Sequence, residues 1–192
     1  MSGHGFHVHG PHDHEIEHAT QHAAKHPSQG TIAVVTAVLA TVGALFSYMG
    51  GATQANAGLY KNNAAIKKTE ASNQWNYYQA KSSKQNLAEL AVVLAPEDKR
   101  AAYRDEVERY KKEKLDIKAA ADKLEAESKA WDEQSDAQMH LHHRWAQATT
   151  ALQVSIALAA MALLTGRKWL EWGMYGLAAV GVALGVAAAL HA

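Results

Sequence analysis

The sequence predicts an all-α integral membrane protein: three transmembrane helices, with a long antiparallel coiled-coil hairpin between the first and the second. Three observations predict it. Three segments of membrane length carry no Asp, Glu, Lys or Arg, and a spanning helix needs ~20 mostly apolar residues. The stretch between the first two holds most of the charge and one proline, and its apolar residues recur at heptad spacing. Good helix formers (Ala, Lys, Glu, Gln and Leu) dominate that stretch.

Composition narrows the function. By length, 192 residues are one domain, or one domain with appendages. Lys plus Arg (19) balances Asp plus Glu (19), which argues against a nucleic-acid partner. The absence of cysteine excludes disulfide frameworks, thiolate zinc sites, Cys nucleophiles and covalently attached c-type haem.

Residues 1–30 form a histidine-rich head that holds eight of the 12 histidines. His7 and His9, and His12 and His14, sit two apart around Gly10-Pro11, a spacing suited to extended or turn backbone. His14, His18, His22 and His26 fall at i, i+4 steps; on a helix starting near Asp13 they share one face, and neighbours can chelate one ion. Asp13, Glu15 and Glu17 add oxygen ligands. Neutral imidazole suits zinc, nickel, copper or cobalt, so a divalent transition metal is the one cofactor expected. The head reads as a metal-capturing or metal-buffering segment or a metal-stapled subunit contact. It reads equally as a solvated low-complexity tail, or as a pH switch titrating near neutrality.

The first span covers residues 31–53. Ala55-Asn56-Ala57 matches a signal-peptide cleavage pattern, but the apolar run exceeds a signal core and no basic residue immediately precedes it. It is expected to be a retained anchor. Gly43, Ser47 and Gly51 form a small-xxx-small row for helix packing.

Residues 54–145 make the extramembrane hairpin. Pro96, followed by Glu97 and Asp98, marks a break and restart near its midpoint. Steps of three and four in the second arm run through Val107, Tyr110, Ile117, Leu124 and Trp131; in the first arm Ile66, Leu87 and Leu94 keep a seven-residue phase, with Tyr77 between. These residues are the expected seam. Alternation of large residues with Ala and Ser in the second arm points to close helix approach. Trp75, Tyr77 and Tyr78 pack against the second arm or another subunit, or form a recognition surface. His140, His142 and His143 close the arm and suit headgroup contact more than metal ligation.

The second span, residues 146–166, is polar in its first half: Thr149, Thr150, Gln153 and Ser155 pair with a neighbouring helix or line a wet cavity. A turn at 167–171 leads to the third span, residues 172–190, where Gly181 and Gly185 repeat the small-residue pattern. Trp145, Arg167, Lys168, Trp169 and Trp172 are expected as interface anchors, since indole rings and basic side chains favour the headgroup region. A soluble bundle with Ala-rich core helices is the competing architecture, but its helices would carry a polar stripe.

The stretch QWNYYQAKSSKQ (74–85), with His143-Arg144-Trp145 and Leu164-Thr165-Gly166-Arg167-Lys168-Trp169, resembles an uncharacterised bacterial family, domain of unknown function 4337. The resemblance covers about residues 31–190. It implies a bacterial inner-membrane protein with three spans and a helical insert. No activity is established for the family, so it implies no residue roles, and the histidine-rich head lies outside it.

No nucleophile-and-base pattern, phosphate loop or HExxH motif occurs, so no enzyme is expected. The expected role is a homo-oligomeric scaffold or docking platform, with the lipid bilayer and further copies of the chain as partners and the protein partner unknown. The alternatives are metal homeostasis through the head and an oligomeric channel lined by the polar residues of the second span. Lys61, Lys67, Lys68 and Arg144 against Lys25, Arg167 and Lys168 place the hairpin in the cytoplasm and the head in the periplasm.

Overall fold

The computed structural model describes residues 27–190. They form three helices: α1 (Pro27–Leu94), α2 (Glu97–Thr165) and α3 (Lys168–Leu190). Among the described residues there is no strand. All three helices are long and apolar enough to cross a membrane.

Local chemistry sets the helix ends. Pro27 opens α1, where a missing N–H costs nothing. Pro96 disfavours helical backbone at Ala95, so α1 stops at Leu94. The Ala95 N–H closes the last turn on the Ala91 carbonyl at 2.8 Å, and Arg100 Nε donates to the Ala95 carbonyl at 2.9 Å. Glu97 and Asp98 then occupy the first turn of α2, where the helix dipole favours acids. α2 ends because Gly166 takes φ 65°, the left-handed cap conformation, and donates to the Ala162 carbonyl at 2.8 Å. One glycine therefore does most of the reversal. The connector is Gly166-Arg167 rather than residues 167–171, and Lys168, Trp169 and Glu171 are already helical.

The chain divides into two compact units. In the first, the described residues are 27–51 and 141–190. Its interior holds two clusters: Ile32 with Ala159 and Met174, and Leu39 with Leu152 and Ala178. Val38, Leu45, Met161, Leu164 and Val186 face outward, the reverse of a soluble helix with a polar outer stripe.

Glycines set the approach distances. A Cβ at Gly181 would lie 2.7 Å from Leu152 Cδ2, and one at Gly185 would collide with the Phe46 ring. On α1 the close positions are Gly43, against Leu152 Cβ at 3.8 Å, and Gly50, against Trp145 Cβ at 3.3 Å. Ser47 and Gly51 are exposed. The expected four-residue row on α1 is thus corrected to a seven-residue one, because a row with period 3.5 stays on the contact while steps of four drift off it.

The second unit is Ala52–His140. Ser128 Oγ donates to the Ala64 carbonyl at 2.8 Å and Ser135 Oγ to the Ala57 carbonyl at 2.9 Å. Ala71 and Ala121 continue this ladder of small residues at 1% and 0% exposure. Ion pairs follow the same descending order: Lys61–Asp132 (2.5 Å), Lys67–Glu127 (3.4 Å), Lys68–Glu125 (3.6 Å) and Lys81–Glu113 (2.6 Å). Of the residues expected at the seam, Val107 and Ile117 are buried, and Tyr110, Leu124 and Trp131 are half-buried. Ile66, Tyr77, Leu87 and Leu94 are exposed, which corrects the α1 seam. The contact row on α1 runs instead through Thr53, Ala57, Ala64, Ala71 and Ala88. A serine hydroxyl reaches the facing backbone only where the facing side chain is no larger than alanine, so the large residues of α1 turn outward.

Candidate functional site

The polar side chains of the second unit converge at its middle. α1 supplies Trp75, Tyr77, Tyr78, Lys81 and Gln85 over successive turns. α2 supplies Tyr110, Glu113, Lys114 and Glu125. Lys81 Nζ lies 2.6 Å from Glu113 and stands over the rings of Tyr77 (5.2 Å) and Tyr110 (5.5 Å). Lys114 donates to Gln85 Oε1 at 3.2 Å and stands 4.9 Å from the Tyr78 ring. Trp75 Nε1 donates to Glu125 Oε1 at 3.1 Å, and its ring meets Tyr78 edge-on at 5.7 Å. Arg109 also stands over the Tyr110 ring, at 5.0 Å.

The electrostatics of this cluster oppose reactivity. The hydrogen bond to Glu113, then that to Tyr77, hold the Lys81 ammonium above the usual lysine range. The hydrogen bond from Lys81 holds the Glu113 carboxyl below the usual carboxylate range. Both stay charged at neutral pH, so Lys81 offers no free amine and Glu113 no proton. What the cluster does is orient two helices: cations on aromatic faces and charge-assisted hydrogen bonds are directional where apolar contacts are not. Tyr77 takes part through its ring face although half its surface stays open.

The metal candidates His7, His9, His12, His14, His18, His22 and His26 lie outside the described residues. His142 Nδ1 is 2.8 Å from the Gly50 carbonyl, and its ring is 5.7 Å from that of His143. Among the described residues no three His, Asp or Glu side chains are placed to hold a metal ion.

The expected anchors separate into two kinds. Trp145 is only 3% exposed, with its ring 5.3 Å from that of Phe46. It is a packing residue rather than an interface anchor, because Gly50 leaves room for it against α1. Trp169 and Trp172 are exposed, as are Arg167 and Lys168. Arg167, Lys168, Glu171, Trp172 and Tyr175 line one side of an open cleft of about 690 Å³, with Gln29 and Ile32 across it.

The polar residues expected in the first half of the second span divide likewise. Ser155, fully buried, donates to the Met174 carbonyl of α3 at 2.8 Å. Thr150 donates to its own helix at Ala146, 2.8 Å, and Gln153 is exposed. Ser155 and Gln153 therefore do not share a lining. Sequence reasoning missed Gly50 and the Lys81–Glu113 pair. The heptad from Gly43 to Gly50 signals the first. The second has no local signal, since it depends on the pairing of distant segments.

A family described as a domain of unknown function (DUF4337) matches residues 28–191. No curated protein and no solved structure matches the chain.

Proposed function

We propose a structural rather than catalytic role for this chain, which belongs to the family described as a domain of unknown function (DUF4337): a membrane-anchored, homo-oligomeric scaffold of the bacterial inner membrane. Its first unit sits in the bilayer, and its second is an antiparallel coiled-coil hairpin on the cytoplasmic side that presents a docking surface. The observation that carries this reading is the contact ladder of the second unit. Partners pair in descending order from Ala57–Ser135 to Gln85–Lys114, and the central cations are consumed in holding it. Long paired helices joined to apolar spans, with their reactive groups neutralised by one another, suit spacing and assembly better than turnover. The whole chain, extracted in a mild detergent and weighed by native mass spectrometry, is expected to be a multimer with full helicity. A monomer of unchanged helicity dismisses the scaffold.

The i, i+4 spacing of His14, His18, His22 and His26 favours a second reading, divalent-metal handling by the head. Deleting residues 1–26 should abolish zinc and nickel binding by the purified protein. Unchanged binding dismisses that reading.

A further inference from the structure

We infer that the outward seam of α1 in the second unit (Leu59, Ile66, Asn73, Ala80, Leu87 and Leu94) is where a second copy of this chain docks, parallel and in register. The inference rests on the scaffold reading and specifies its contact.

These six residues recur every seven positions and all are exposed. Four of them are large: Leu59 (56%), Ile66 (47%), Leu87 (66%) and Leu94 (72%). Asn62, Thr69, Asn76, Ser83 and Leu90, three residues on from the first five, complete a second 3–4 seam on the side of α1 turned away from the α2 contact row. A heptad row of this kind is the pattern that supercoils two helices.

The identity of the occupant follows from charge. Neither row contains a charged residue. Four of the five lysines of this part of α1 meet acids of α2, Lys61, Lys67, Lys68 and Lys81 facing Asp132, Glu127, Glu125 and Glu113, and the fifth, Lys84, lies in neither row. The open positions of α2 are dense in ions: Asp105, Glu108, Lys112, Asp116, Lys123 and Glu133 are all exposed. A partner bearing such ions would bury them against an uncharged seam that offers no partner across the contact, at the cost of their desolvation. The α2 face is thereby excluded, and the uncharged surface of matching period is the same seam on another copy, as in an isologous contact.

Two details favour burial in register. The Thr69 and Ser83 hydroxyls already donate within their own helix, to Ala65 at 2.9 Å and Gln79 at 3.1 Å, so covering them orphans no donor. Asn73 is the polar residue of the main row. In a parallel contact it meets its own copy, and one amide pair fixes register and direction. The chain enters this unit from an apolar segment that precedes it, so copies anchored in one bilayer run α1 in the same direction.

The chain has no native cysteine, which makes the test clean. Ala80→Cys and Lys112→Cys are introduced singly into the full-length protein, and native membranes are treated with a disulfide-forming oxidant. Ala80→Cys should give a dimer band, since same-residue disulfides need Cα atoms within ~7 Å, and Lys112→Cys should give none. A band from Lys112→Cys, alone or equal to that from Ala80→Cys, overturns the face assignment while leaving an oligomer. No band from either overturns it too, and native mass then separates the cases: a multimer leaves the scaffold standing, and a monomer removes both. As a second readout, Ala80→Glu sets two carboxylates against each other and should lower the multimer fraction at full helicity, whereas Lys112→Glu should not. An unchanged fraction with Ala80→Glu also refutes the seam.

Discussion

Leu152 and Gly181 give the sharpest test of the first unit. Leu152 is fully buried, and a Cβ on Gly181 would lie 2.7 Å from its Cδ2, 3.0 Å from its Cγ and 3.2 Å from its backbone nitrogen. Leu152→Ala deletes three carbons, about 75 Å³, which at about 24 cal/mol per Å³ of unrelaxed cavity is about 2 kcal/mol. In the bilayer setting proposed above, the water-transfer term that enlarges such losses in soluble proteins is largely missing, because the separated helices would also lie among apolar chains. Gly181→Ala overpacks the same point, at a cost of about 1–3 kcal/mol. The double variant removes the two side-chain atoms the new methyl would strike, leaving only the backbone nitrogen at 3.2 Å, and lets it occupy part of the vacated volume. It should be more stable than the sum of the two losses by about 1–3 kcal/mol, a coupling expected only of residues in contact. Reversible unfolding of the full chain in mixed micelles of rising sodium dodecyl sulfate fraction, followed by helicity, measures all four corners of the cycle. Losses that add to within about 0.5 kcal/mol would refute the close approach of α2 and α3 at this point.

Other consequences follow from the second unit and the caps. Glu113 is held below its ordinary pKa, so its contribution is present above about pH 4.3 and fades as pH falls through the lowered value. Lys81 is held above its ordinary value, so its contribution is present below about pH 10.4 and is lost as pH rises through the raised one. Thermal stability of the second unit should therefore be flat between these limits, and Lys81→Gln should blunt both flanks; unchanged flanks would show the pair to be idle. Ser128→Ala deletes one hydrogen bond to Ala64 and should cost about 1 kcal/mol. Ser128→Leu should cost more, by overpacking of about 1–3 kcal/mol; a neutral leucine in thermal unfolding would mean that the helices do not approach there. Gly166→Ala places a side chain at φ 65° and should cost about 1–2 kcal/mol by the same detergent titration, with Gly166→Asn milder; equal losses would place the strain elsewhere.

Much of this architecture can be read from residue order alone, and each failure has a physical source. The helix boundaries at Leu94 and Glu97 are dictated by Pro96, and the apolar stretches long enough to cross a membrane by absence of charge. The seam of α2 is legible because large residues mark it: Val107, Ile117 and Trp131 fall on the inward phase. On α1 the same habit of following size misleads. In the second unit its inward phase is held by Ala57, Ala64 and Ala71, and Leu59, Ile66, Leu87 and Leu94 lie on the other side. A helix that offers alanine to serine presents no apolar stripe to its partner, and only the requirement that bulky residues of one helix face small ones of the other gives the correct phase. Trp145 fails for the converse reason: a tryptophan at a span end suggests a headgroup contact until the glycine opposite it, Gly50, is known. The Lys81–Glu113 pair needs the pairing offset of two distant segments, which no local pattern carries.

The serine bonds to Ala57 and Ala64 also decide how the second unit responds to force. Moving α2 by one turn along α1 would carry both hydroxyls away from their carbonyls and shift each lysine off its carboxylate together. The two serine bonds lie seven residues apart on each helix and break in the same step, so slippage meets a barrier from both rungs at once. A pull on either strand is then handed to the other without lost motion: a coupling rod of fixed length, not a ratchet.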